Sequence, residues 1–179
     1  MFNKNIKLVL AALVIVTAVW QFTENNIGNG IFLLLFSAIF ILLYYKNEMI
    51  LLAFLKLRKQ DFDGATKLLN RIKNPEAALV TKQQGYYNYL HGLMLSQKDL
   101  SKAEKYLKKA VALGLNMDQD MAMAKLNLAG IAMTKNRKVE ATKLLADAKK
   151  LDKQGMLKEQ ITMMKQQMKK GPQVQQRRY

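Results

Sequence analysis

One repeat step of 38 residues constrains most of what this chain can fold into. The segments DFDGATKLLNRIKNP, DLSKAEKYLKKAVALG and RKVEATKLLADAKKLD begin at Asp61, Asp99 and Arg137. Within them Ala65, Ala103 and Ala141 keep the step, as do Leu69, Leu107 and Leu145, and upstream Leu52, Leu90 and Leu128. Gly92 with Gly130, Ala110 with Ala148 and Leu113 with Leu151 repeat it again. A register held through so many columns is the signature of stacked copies of one small unit. The i, i+4, i+7 spacing of Ala and Leu after each Asp or Arg places them on one helix face, so each unit reads as two helices. With only 2 Pro and with Lys, Leu, Ala, Met and Gln abundant, the composition supports an all-α chain.

Ala103–Leu107–Ala110 and Ala141–Leu145–Ala148 have the small–large–small order of a tetratricopeptide (TPR) second helix, and residues 46–152 as a whole resemble a TPR array. Ala65–Leu69–Ile72 departs in its last column, and the step is longer than the ~34 residues usual for that family. Gly92 and Gly130 stand one place late, and Tyr87 has Lys125 as its counterpart. The resemblance implies an α-solenoid of three helical hairpins over 46–152 that binds protein partners in a groove. First-helix residues Tyr87, Asn88, His91, Lys125 and Asn127 would form that groove. A clamp for a C-terminal carboxylate is not expected: Asn127 suits one, but Ile50 and Phe54 occupy the matching face of the first repeat. Asn74-Pro75, Gly114 and Gly155 mark boundaries, and Asp99, Asp118 and Ser101 are N-cap candidates. Met156, Leu157, Ile161, Met164 and Met168 share one face of a capping helix over 153–170, and 171–179 is expected to be a basic disordered tail.

Ahead of the repeats lie two uncharged runs, Leu8–Phe22 and Ile31–Tyr45, joined by TENNIGNG. They predict a transmembrane helical hairpin over 1–45, with helices at about 6–22 and 28–45. Each run rises only ~22 Å against a hydrocarbon core of ~30 Å, so Ile6 and Ile27–Gly30 are needed to extend them. Trp20, Phe22, Tyr44 and Tyr45 would form the aromatic belt. Lys4 and Lys7 before the pair, and Lys46, Lys56, Arg58 and Lys59 after it, predict a two-span protein of the cell membrane with both termini cytoplasmic. The latter four would contact anionic lipid. A signal peptide cleaved near Val16-Thr17-Ala18 and a hairpin buried in a water-soluble core are the alternatives. With no Pro or Gly between Tyr45 and Arg58, one helix is expected to run on into the repeats.

Chemistry-bearing residues are scarce. The absence of Cys removes disulfides, thiolate metal sites and cysteine nucleophiles. His91 is the only histidine, which leaves no material for a triad or a multi-His metal site. Asp118 and Asp120 lack the downstream Gly and Glu of a calcium loop and suit helix capping better. A non-enzymatic protein without metal or cofactor is the expectation. The charge is lopsided, with 29 Lys and Arg against 13 Asp and Glu, a net +16. Clusters fall at Lys105, Lys108 and Lys109, at Lys135, Arg137 and Lys138, at Lys149, Lys150 and Lys153, and at Lys165, Lys169 and Lys170. Solvated helix faces explain them most simply; the sign asymmetry admits an anionic partner. Eight of the 11 methionines lie at or after Met117, either filling the core or lining an apolar groove. The functional expectation is a membrane-anchored scaffold or adaptor for proteins, serving membrane-complex assembly or biogenesis. A basic tether for ribosome, nucleic acid or another polyanion is the second.

Overall fold

The computed structural model describes residues 4–45 and 47–170, and within them every regular element is a helix. The all-α expectation holds. The chain divides into two compact units, residues 1–87 and 88–179, each taken by itself below.

The first unit opens with α1 (Lys4–Thr23) and α2 (Ile27–Tyr45), packed as a hairpin. The turn between them is shorter than the sequence implied, because Gly28, Asn29 and Gly30 belong to the first turn of α2. Asn25 takes a left-handed φ of 59°, and the amide of Asn26 donates to the carbonyl of Gln21 at 2.9 Å while that of Asn25 donates to Phe22 at 3.2 Å. This is a Schellman closure, which uses up carbonyls the helix end would otherwise leave unbonded. Gly30 is buried against the Phe22 ring, where an added Cβ would sit 2.7 Å from ring carbons.

The transmembrane hairpin is overturned. Among the described residues no helix is long and apolar enough to cross a membrane, so neither the two spans nor the multi-pass cell-membrane placement with cytoplasmic termini stands. The physical reason lies at the helix ends. Lys4 and Lys7 fall inside the first turns of α1, and Gly28, Asn29 and Gly30 inside the first turn of α2. What remains apolar rises ~22 Å, short of the ~30 Å hydrocarbon core.

The continuous helix into the repeats is likewise replaced by a break. α3 (Glu48–Arg58) starts afresh, with Asn47 in extended conformation accepting a side-chain hydrogen bond from the Met49 amide at 3.0 Å. Asparagine is a strong N-cap because its short amide satisfies one of the free amides of a first turn. α4 (Phe62–Asn70) follows, capped by Asp61 on the Gly64 amide, and packs on α3. Asn74 caps a four-residue helix, α5 (Pro75–Ala78), before α6 (Thr81–Leu95).

The second unit takes the rest of α6 with α7 (Leu100–Leu113), α8 (Asp118–Thr134), α9 (Lys138–Leu151) and α10 (Lys158–Lys170). The alanine and leucine columns point inward. Ala65 and Leu69 in α4, Ala103, Leu107 and Ala110 in α7, and Ala141, Leu145 and Ala148 in α9 are all buried. Leu90 and Leu128 are buried too, while Leu52, their counterpart in α3, is exposed. The turns repeat along with the cores. Asp61 donates its amide to Lys56 at 2.9 Å and Arg137 to Ala132 at 2.8 Å, with Gln60 and Asn136 in left-handed φ just before them. One closure is thus reused two steps apart. Asp99 caps α7 through the Ser101 and Lys102 amides, whereas Met117 holds the N-cap position of α8 with no side-chain bond, leaving Asp118 one place inside the helix. Gly114 ends α7 at φ 80°.

Candidate protein-binding groove

The capping helix builds one wall of a groove in the second unit. Leu157 and Ile161 of its leading face are buried against Leu126, Ala129, Leu145 and Ala148, and Met164 and Met168 pack at the margin of that cluster. Met156, placed on the same face by sequence, is exposed. This anchoring tilts the next face of α10 toward α8. Gln160, Met163, Met164 and Gln167 then stand at i, i+3, i+4 and i+7, opposite Met123, Asn127, Gly130 and Thr134 of α8. The groove between them has a volume of about 430 Å³, and Ser96 and Leu100 also line it.

Its chemistry follows from what lines it. Every lining residue is uncharged, in a chain where 23% of residues are charged. Asn127 spends one amide hydrogen on the Met123 carbonyl of its own helix at 2.8 Å, which fixes its side chain at the wall. Gly130 keeps the floor open: an added Cβ would meet only the terminal methyl of Met164, at 3.5 Å. Methionine thioethers are flexible and polarizable, and they adapt to apolar shapes that branched residues would reject.

The residues expected to form a groove are distributed differently. Asn127 lies in it. Lys125 turns to α9 instead, holding Asp147 at 2.7 Å, and that contact pulls the Asp147 carboxyl below the ordinary carboxylate range. His91 stacks on Tyr106 of α7, ring centroids 5.1 Å apart, and burial pushes its pKa down from the usual value near 6.5. Asn88 is buried, and Tyr87 is half-buried at the end of the first unit. Among the lipid-contact candidates Lys56 pairs with Asp61 at 2.8 Å, Arg58 and Lys59 are exposed, and Lys46 lies outside the described residues, as does the tail 171–179. The α10 half of the groove escaped the sequence reading because two adjacent faces of that helix carry methionine. The i, i+3, i+4, i+7 run from Gln160 was the available signal.

Long-range ion pairs hold the unit in register. Glu104, with a side chain only 12% exposed, accepts from Arg137 at 2.7 Å, Lys108 at 2.7 Å and Lys135 at 2.8 Å. Arg137 and Lys108 also reach Glu140, at 2.8 and 3.4 Å. The Arg137 guanidinium foremost, joined by both lysines, holds the Glu104 carboxyl far below the carboxylate range. Lys153 pairs with Asp118, and Asp152 caps the entry to α10 by accepting from the Met156 and Leu157 amides. Among the described residues no group of His, Cys, Asp or Glu is arranged to hold a metal ion. The chain matches no family model, no curated protein and no solved structure.

Proposed function

We propose that the chain is a TPR-like helical-repeat scaffold that seats a helix of a partner protein in the groove between α8 and α10. The observation that carries this reading is an uncharged, methionine-lined channel on an otherwise strongly basic protein. A charged peptide would lose its solvation there without gaining an ion pair, whereas apolar side chains spaced along one face of a helix would find matching walls. Asn127, Gln160 and Gln167 at the rim supply neutral hydrogen bonds that fix orientation at little desolvation cost. The inward-facing alanine and leucine columns support the repeat assignment, since small columns let helices of neighbouring pairs approach closely. The groove lining carries no charged, His or Cys side chain, and the function proposed is binding.

Photo-crosslinking in cells tests it. A benzophenone side chain replacing Met163 is expected to trap one discrete protein, and the same group replacing Val139, on the outer face of α9, is not. Adding Gly130→Glu should abolish the adduct, and the purified partner segment should lose at least tenfold in affinity for that variant with little dependence on salt. Equal capture from both positions, or capture indifferent to Gly130→Glu, would overturn the groove as the docking site.

A further inference from the structure

The α1–α2 hairpin has two broad sides, and its buried small residues tell them apart. Ala11 and Ala18 in α1, and Gly30 and Ser37 in α2, are buried and stand seven residues apart on each helix. Each pair therefore marks the stripe turned toward the other helix. The next residue along lies ~100° further round. Because the two helices run antiparallel, the same turn in the same sense carries both to one side of the hairpin. That side receives Ala12, Val19, Ile31 and Ala38, whereas the preceding residues, Leu10, Thr17, Asn29 and Phe36, fall on the other. Steps of three and four complete the first side: Leu8, Ala12, Ile15 and Val19 on α1, and Ile27, Ile31, Leu34, Ala38 and Ile41 on α2. All are aliphatic and exposed, the larger ones by 36–58%. The other side is mixed, with the Thr17 hydroxyl, the Asn29 amide and the Phe32 and Phe36 rings stacked at 6.3 Å.

We propose that the aliphatic side is a dimer interface, through which the hairpins of two copies of this chain pack face to face as a four-helix bundle. The alternating steps of three and four on both helices are the spacing by which side chains of one helix enter the gaps of another. Ala12 and Ala38 stand mid-helix between larger neighbours, so each copy offers hollows for the Leu and Ile side chains of its mate. A two-fold contact uses one patch twice and must be complementary to itself. A face without charge or polar side chain meets that condition, since it asks of its partner only the same chemistry. From Leu8 to Tyr45 the one charged residue is Glu24, which lies beyond the end of α1 and off this face. Area agrees. The face offers roughly 650 Å² per copy, so pairing removes on the order of 1,300 Å² from water, within the ~1,200–2,000 Å² of a specific interface. Left uncovered, it would exceed the ~300–600 Å² that is the largest apolar patch of a typical soluble monomer, before the rest of the hairpin exterior is counted.

Thiol accessibility on the full chain, without detergent, reads the outcome. The protein has no Cys of its own, so each single-Cys variant carries one reporter. Ala12→Cys and Ala38→Cys, on the aliphatic side, should react with maleimide at least tenfold more slowly than Thr17→Cys on the other side of the same hairpin. Sedimentation equilibrium of these variants should show dimer. Adding Ile31→Glu with Leu34→Glu should bring the three rates together and release monomer, whereas Leu10→Glu with Phe36→Glu should leave the protection in place. Circular dichroism should show both charged pairs still helical, and the uncharged Cys variants give the answer even where a charged pair unfolds. Equal rates on the two sides of the otherwise unsubstituted chain, or slower reaction at Thr17→Cys, would overturn the dimer. So would protection of both sides that appears only when phosphatidylcholine vesicles are added, which would make lipid the cover.

Discussion

The α1–α2 hairpin and the α7–α10 unit distribute their side chains in opposite senses. In the second unit large aliphatic residues such as Leu107, Leu145 and Leu157 are buried, and lysines face outward. In the hairpin the buried positions are small, Ala11, Ala18, Gly30 and Ser37, and the large residues are outside, with Trp20 and Leu35 both more than 60% exposed. Polarity sorts residues in one region and size sorts them in the other. The hydroxyls agree. Thr17, Thr23 and Ser37 all donate to carbonyls of their own helix turn, so these hydroxyls are satisfied without help from the opposite helix. Two helices apolar all round cannot use polarity to choose an interface, so they meet where backbones come closest. Helices with one apolar stripe bury that stripe.

The sharpest way to break this contrast is the same truncation in both regions. Leu107→Ala should destabilise the protein by ~2–5 kcal/mol, because the residue is fully buried and its truncation leaves a cavity. Leu35→Ala, on the outside of the hairpin, should stay within ~0.5 kcal/mol. Chemical denaturation of both variants measures the difference; equal losses would mean that the hairpin's exterior is packed after all.

The Glu104 cluster comes next. Glu104→Gln should cost ~1.5–3 kcal/mol at neutral pH, the scale of hydrogen bonds to a charged group. A carboxyl whose folded pKa is depressed stabilises fully above its ordinary value of 4.5 and loses that contribution as pH falls below it. Lys108 and Arg137 are shifted upward, so their contribution persists through neutral pH and beyond. Wild type and variant should therefore converge in Tm on acidification from pH 5 and stay parallel above it. A gap that held constant into acid would remove the electrostatic explanation.

How much of this was legible beforehand depended on whether the decisive interaction is periodic. The buried columns at Ala103, Leu107 and Ala110 were readable because a helix face repeats along the chain. Asp99 was readable as a cap because capping is local. The Glu104–Arg137 pair was not, since 33 residues separate its partners and only packing brings them together. Asn25, Gln60 and Asn136 look like ordinary polar residues until a left-handed φ shows that each closes a helix. The hairpin misled for another reason. Its apolar runs reach only ~22 Å, and the residues that would lengthen them, Gly28, Asn29 and Gly30 among them, are helical without being apolar enough to extend a span.

The glycine column offers a finer test inside the repeats. A Cβ on Gly92 would lie 2.6 Å from the Leu107 side chain and 3.3 Å from its backbone nitrogen, so Gly92→Ala should cost ~1–3 kcal/mol through overpacking. Gly130 occupies the equivalent position one step later, and Gly130→Ala should be neutral or stabilise by up to ~1 kcal/mol, since alanine is the better helix former and has room there. Thermal melts of the two variants should move in different directions. Matching losses would mean that the repeats pack alike at this column and that the groove floor is not open.

The smallest effect on stability belongs to the hairpin exterior, and it should appear in association instead. Phe32, Leu35 and Leu42 are exposed along α2, with Phe32 stacked on Phe36 at 6.3 Å between ring centroids. Contiguous apolar surface of this kind drives proteins together in water. Replacing the three by Gln leaves the small-residue interface of Ala11, Ala18, Gly30 and Ser37 untouched, so the melting curve should barely move. Sedimentation velocity without detergent should show the variant less self-associated than wild type. A large drop in Tm would show that these side chains pack inside the hairpin rather than around it, and the inside-out arrangement would then be wrong at its most exposed point.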